Sequence, residues 1–380
     1  NTAHSDDYRD GNNDTVASRY EKWNGDVAVG WTPNADTLLE LTAGRGDGDA
    51  RYAGRGMDGA QFLRESLGLR FEQSNIGEVL DKVEAQVYYN YADHVMDNYT
   101  LRTPSGTGMM AGPMASNVDR RTLGARVKAT WRWADVQLIS GIDAQTNEHR
   151  QRSAMGVDTY KDLPYTKDAD FHNYGVFGEL TWYAADRDRL ISGARLDRAS
   201  AKDFRQTTGS GMMTRPNPTA DDTRADTLPS GFIRYEHDLA DSPTTLYAGL
   251  GHSQRFPDYW ELFSPNSGPA GSVNAFDSIK PEKTTQLDFG LQYKTETLEA
   301  WASAYVGQVR DYILFNYTPG MMGTTSQAEN IDARIMGGEL GAAYNFTDNW
   351  KADATLAYAW GKNSSDGTAL PQMPPLDARF

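Results

Sequence analysis

Apolar and polar side chains alternate one for one along most of this sequence, in segments of about 10 to 16 residues. Over 80–92, Val83, Ala85, Val87, Tyr89 and Tyr91 hold the odd positions, and Lys82, Glu84, Gln86, Tyr88 and Asn90 the even ones. Successive side chains of a strand point to opposite faces, so such a segment is a strand with one oily and one wet face. The pattern returns over 122–133, where Leu123, Ala125, Val127, Ala129, Trp131 and Trp133 oppose Arg126, Lys128 and Arg132. It returns over 135–149, 174–182, 188–199, 284–293, 297–309, 335–344 and 350–360. The whole chain reads as about fourteen strands with no convincing amphipathic helix.

The connections alternate in length. Short turns at Pro33-Asn34-Ala35-Asp36, Ser74-Asn75-Ile76-Gly77, Trp133-Ala134-Asp135, Ala185-Asp186-Arg187 and Thr347-Asp348-Asn349 take turns with long polar loops. Those loops fall near 97–119, 152–168, 205–224, 257–280, 316–330 and 362–375. One tight end and one elaborated end is the pattern of an up-and-down barrel that crosses an outer membrane. Trp31, Trp131, Trp133, Trp182, Tyr183, Tyr293, Phe346 and Trp350 gather beside the tight turns. A membrane–water interface suits such rings, which are apolar at one end and wet at the other. A soluble sandwich or propeller also alternates, but its strands run to about 5–6 residues, and it has no use for aromatic girdles. The fold class is therefore all-β, an antiparallel up-and-down transmembrane β-barrel.

Composition narrows the function. Lys and Arg number 37 against 52 Asp and Glu, a net charge of −15, which lacks the basic face a nucleic-acid binder needs. Twenty Tyr, 13 Phe and 9 Trp are too many for a disordered acidic chain. No apolar run approaches the roughly 20 residues of a membrane helix. Without cysteine the chain has no disulfide framework and no thiolate metal site of its own. The chain opens on Asn1 with neither an initiator methionine nor a signal peptide, and reads as mature, trimmed or cut from something longer.

Two motifs carry a family resemblance. One is Ser253-Gln254-Arg255-Phe256-Pro257-Asp258-Tyr259-Trp260-Glu261-Leu262-Phe263, and the other Ile279-Lys280-Pro281-Glu282-Lys283-Thr284-Thr285-Gln286-Leu287-Asp288-Phe289-Gly290. A strand ending in a Phe-Pro-acid loop, followed by a Lys-Pro-Glu entry to the next strand, resembles the barrel of TonB-dependent receptors, and the resemblance runs through essentially all 380 residues. It implies a 22-stranded barrel closed by an N-terminal plug, located in the Gram-negative outer membrane as a multi-pass protein among lipid and lipopolysaccharide. Residues 1–380 are then expected to be the central part of that barrel. The plug, the closing strands and the region that contacts TonB would lie outside them.

Methionine placement bears on the ligand. Nine of the 12 methionines lie in or beside the long loops: Met96, Met109, Met110, Met114, Met155, Met212, Met213, Met321 and Met322. Three pairs are flanked by glycine, at Gly108-Met109-Met110, Gly211-Met212-Met213 and Gly320-Met321-Met322-Gly323. A thioether is a soft ligand that suits Cu(I); the plainer reading is that these adaptable side chains pack loop against loop. His94-Val95-Met96 stands at the outer end of the 80–92 strand. By parity with Lys82, Glu84 and Gln86, both His94 and Met96 face the lumen, where an imidazole and a thioether two residues apart can share one ion. His149 has lumen parity with Gln145 and Asn147 and is a candidate secondary ligand. His172, His237 and His252 read as interface or turn residues, and His4 as part of a solvated outer loop.

These features are similar to the TonB-dependent copper receptors of the OprC/NosA type. That likeness implies that His94 and Met96 are the wall's share of a copper site completed by Cys and Met from the plug. The expected function is copper import through an outer-membrane receptor, with Cu(I) favoured, TonB as partner and no enzymatic activity. The alternatives are a receptor for a siderophore or other metal chelate, which needs aromatics and arginines at the lumen rim, and an outer-membrane hydrolase or adhesin barrel. No Gly-x-Ser-x-Gly or His-Glu-x-x-His serves a hydrolase. Gly44-x-Gly46-x-Gly48 has no helix after it to cradle phosphate, and Asp47-Gly48-Asp49 lacks a full calcium loop.

Overall fold

A strand that can bury only one face needs neighbours that share that face, and the chain supplies them in order. The computed structural model describes residues 1–209, 214–265, 273–320 and 323–380. Its sixteen-stranded sheet is antiparallel throughout, each strand pairing with the next in chain order. The strands are β1 (Thr2–Ser5), β2 (Tyr20–Asn34), β3 (Thr37–Ala50), β4 (Asp58–Gln73), β5 (Leu80–Asp97), β6 (Met114–Arg132), β7 (Val136–Met155) and β8 (Thr166–Ala185). They continue as β9 (Asp188–Asp203), β10 (Thr223–Asp238), β11 (Thr244–Arg255), β12 (Glu282–Lys294), β13 (Leu298–Gly320), β14 (Gly323–Thr347), β15 (Trp350–Asn363) and β16 (Asp377–Arg379). A five-residue helix, α1 (Tyr259–Phe263), lies in the loop after β11.

The two faces differ as the alternation requires. On the outward face, Val29, Ile142 and Leu340 are 64%, 60% and 54% exposed; a water-soluble sheet would bury such residues, and a lipid-facing one presents them. Trp31, Trp133, Trp182, Tyr183, Phe346 and Trp350 are exposed beside the tight turns, as a girdle requires. The inward face is charged and cross-linked. Glu84 pairs with Lys128 at 2.9 Å, Lys82 with Glu72 at 2.6 Å, and Arg195 clasps Asp143 through two bonds of 2.7 and 2.8 Å.

Several expectations change at the outer end. The strand expected over 80–92 runs on to Asp97, the one expected from 122 begins at Met114, and the one expected to end at 149 continues to Met155. Of the loop expected at 316–330, the described residues 316–320 and 323–330 are paired strand: Asn316 lies opposite Gln327, Tyr317 opposite Ser326 and Gly320 opposite Gly323. His4 is not in a solvated loop but in β1, opposite Glu21. The short edge strands β1 and β16 are the additions to the fourteen expected. The cause is common. Outside the bilayer neither face need be oily, so strands continue on backbone hydrogen bonds without the alternation that reveals them.

Candidate metal centre

The pairing of β5 with β6 is unbroken from Lys82 to Asp97, so the parity counted along the sequence holds to the rim. His94 and Met96 therefore share the inward face with Lys82 and Glu84, while Val95 between them is buried on the other face with Ala115 and Tyr160. On β4, Phe62 lies opposite His94 and Gly59 opposite Met96. The Phe62 and His94 rings stack with centroids 4.6 Å apart and planes 24° from parallel. A Cβ on Gly59 would sit 2.1 Å from the Phe62 ring, so glycine at that position is what lets Phe62 lie there. Asn117 of β6 donates to the His94 carbonyl at 3.2 Å and holds the backbone from the far side.

His94 Nε2 is buried and has no hydrogen-bond partner among the described residues. Leaving such an atom unpaired is costly. The ring is held by stacking, with a thioether two residues on along the same face of β5.

The methionine loop is tied down next to it. Buried Asn98 donates to the carbonyls of Met110 (3.3 Å) and Gly112 (3.0 Å) and accepts from the Met114 amide at 2.8 Å. Arg102 in the same loop donates to Asp58 of β4 and to the Tyr52 carbonyl, at 2.7 and 2.9 Å. Met114 and Met155 face one another across β6 and β7, and Met114 lies diagonal to Met96, whose own partner is Ser116. Met155 is 70% exposed. Met110 is packed on the loop before β4, its sulfur so close to Gly56 that a Cβ there would clash at 2.3 Å; for this residue the packing reading describes what is seen. The Met109 side chain and the pairs Met212-Met213 and Met321-Met322 lie outside the described residues.

His149 is elsewhere and otherwise engaged. It is buried two strands from β5, with Nδ1 2.5 Å from Asp168 and its ring 3.9 Å from that of Tyr259. Tyr259 also donates to Asp168, and burial followed by the Asp168 charge pushes its phenol well above the usual tyrosine range. This trio fastens α1 to the wall. His237 bonds Asp188 near the tight turns at 2.7 Å, as the sequence suggested; His252 and His172 lie instead within β11 and β8, where His252 bonds Thr285 at 2.9 Å and His172 stacks near Tyr174.

The two family motifs turn out to be one device. Asp258 and Glu261 form a reciprocal cap at the start of α1. Arg255 at the end of β11 grips Glu261 through bonds of 2.7 and 2.8 Å, and Glu282 at the start of β12 through a third of 2.7 Å. Around that clamp Leu262, Phe276 and Ile279 form a dry core with Ile313 and Ala328. Among the described residues no three His, Cys, Asp or Glu side chains converge as a metal site. What the rim offers a metal is one imidazole and thioethers, a soft set suited to Cu(I).

The family model described as TonB dependent receptor-like, beta-barrel, matches residues 1–380. The chain belongs to the TonB-dependent receptor β-barrel family, whose members reside in the Gram-negative outer membrane. Among solved structures it is similar to the copper transporter OprC, at 70% identity and a TM-score of 0.92 over 100% of this chain and 60% of that one. It thus spans less than two thirds of that transporter's length. It is also similar to the FrpB iron transporter of Neisseria meningitidis (15% identity, 95% of this chain and 56% of that one, TM-score 0.68). A third likeness is to the ferric-catecholate import receptor Fiu of E. coli K12 (13%, 99% and 63%, TM-score 0.70). These two likenesses speak for the fold alone. A comparison with curated proteins found no match.

Proposed function

We propose that the receptor to which this chain belongs takes up copper ions and imports them through the outer membrane in a TonB-dependent manner. The observation that carries this reading is the lumenal pair His94 and Met96, with Nε2 of the imidazole buried and unpartnered. Sulfur selects a soft ion, so Cu(I) is favoured over zinc, which gains little from a thioether. The 70% identity to a protein titled a copper transporter supports the same ligand.

Two ligands are an incomplete sphere. The remaining ones would come from a plug, which with the TonB-contacting segment belongs to the part of the receptor beyond this chain. In this reading residues 1–380 are the central portion of the barrel, whose edges β1 and β16 await closing strands. Met114 and Met155, in register at the rim, would receive copper and pass it toward Met96. The chelate reading finds less support, since Arg195, an arginine of the lumen, is already clasped by Asp143 and Asp197.

The test is uptake by cells. A strain lacking its own receptor and carrying the full-length protein should accumulate copper at limiting external concentration only when TonB is intact. It should accumulate no extra zinc or ferric siderophore. Copper accumulation equal to that of the empty strain would refute the proposal.

A further inference from the structure

Strand β4 carries one residue more than its neighbours can match, and the excess falls beside the metal centre. Across β3, Gly46 lies opposite Arg64 but Ala50 opposite Gly59, so three residues, Asp47 to Asp49, face four, Ala60 to Leu63. Across β5, Gly59 lies opposite Met96 and Gln61 opposite Val95, so Ala60 has no counterpart. Both mismatches describe one bulge, at Ala60. A bulge re-aims the side chains beside it. This one brings Gly59 and Phe62 to the same inward face, opposite Met96 and His94, although three positions apart on an unbroken strand would put them on opposite faces.

A mismatch of this kind takes backbone groups out of the ladder, and here a side chain replaces what is lost. Asp47 Oδ1 accepts the Phe62 amide at 3.0 Å and the Gly48 amide at 2.7 Å. The neighbouring cations are engaged elsewhere: Arg19 meets Asp49 at 3.2 Å and Arg45 meets Glu65 at 3.4 Å. Asp47-Gly48-Asp49, which lacks a calcium loop, thus has another use, since its first carboxylate stands in for a strand carbonyl. The bond fixes the backbone of Phe62. From that backbone the ring leans over Gly59 and stacks on His94.

We infer that Asp47 is a positioning residue of the metal centre: through the Phe62 amide it sets the ring that holds the His94 imidazole ready for a metal. Without it the bulge loses its tie, Phe62 can leave the imidazole, and His94 can turn. Metal binding would then have to order the imidazole as well, which weakens it. The inference rests on the proposal that His94 binds copper, and adds that the wall prepares this ligand from two strands away.

Dialysis of copper against the full-length receptor under reducing conditions tests it. Asp47→Ala should weaken copper retention roughly tenfold. Asp47→Asn keeps an oxygen that can accept both amides, and should recover most of that loss. Because Asp47 acts through the ring, Asp47→Ala should cost nothing further in a receptor that already carries Phe62→Leu. A heat-modifiable gel shift reports that each variant is folded. Copper retention by Asp47→Ala equal to wild type would overturn the inference. So would a full second loss when Asp47→Ala is added to Phe62→Leu, because a merely structural role adds where a shared path does not. A wild-type receptor that retains no copper would instead overturn the copper reading beneath it.

Discussion

His94 keeps a ring nitrogen buried and without a partner among the described residues, which in a settled core costs about 1–3 kcal/mol. Phe62 and Gly59 explain how the ring stays in place: one stacks on it, and the other makes room for the stacking. The inward placement of His94 and Met96 was legible from parity alone, because no bulge interrupts the pairing of β5 with β6 between Lys82 and Asp97. Phe62 was missed, although it left a signal. It is an aromatic ring at a position whose parity on β4, with Arg64, Ser66 and Arg70, is otherwise polar. The His149 partnership was not legible, since the pairing of β7 with β8 shifts at Lys167 to Ala169 and the irregularity falls on Asp168. That partnership is testable at one atom. Tyr259→Phe removes the bond to Asp168 and should loosen α1 by about 1–3 kcal/mol, seen as faster amide exchange over 259–263 with β7 and β8 unchanged. Unchanged exchange at α1 would show that the bond does not anchor the loop.

At the scale of strands, what the sequence discloses depends on the solvent. Within the bilayer each strand must show lipid one face and water the other, so period two marks it. In β13 and β14 the outer segments 316–320 and 323–327 pair above that zone, where Pro319, Gly320 and the Thr-rich stretch Thr324-Thr325-Ser326 read as loop although the backbone is extended. The tight turns were read correctly because they end oily strands abruptly. The long loops were mistaken in their bounds, and the one expected at 316–330 is paired strand over its described residues. The two motifs of the 253–290 region were seen as punctuation, yet Arg255 binds them into one clamp that no spacing rule anticipates. Single cysteines test the face assignment. Val87→Cys should react with a lipid-soluble maleimide and Gln86→Cys with a water-soluble one. Mixed labelling at both positions would contradict the barrel.

The whole molecule divides its chemistry by compartment. Its outer surface is an apolar belt with aromatic residues at one rim; its inner surface is a lattice of ion pairs such as Glu84 with Lys128. Against that background the rim around β5 offers a buried imidazole nitrogen with no partner among the described residues and a thioether two residues on. The central claim is that His94 and Met96 hold copper, and equilibrium dialysis of copper against the full-length receptor measures it directly. Wild type should retain copper stoichiometrically, and His94→Ala and Met96→Leu should each weaken retention by more than the roughly 10–100-fold that follows loss of an outer-shell partner. His149→Ala should retain copper as wild type does, because its imidazole is already spent on Asp168 and Tyr259. Stoichiometric copper in a folded receptor carrying both His94→Ala and Met96→Leu would contradict the account.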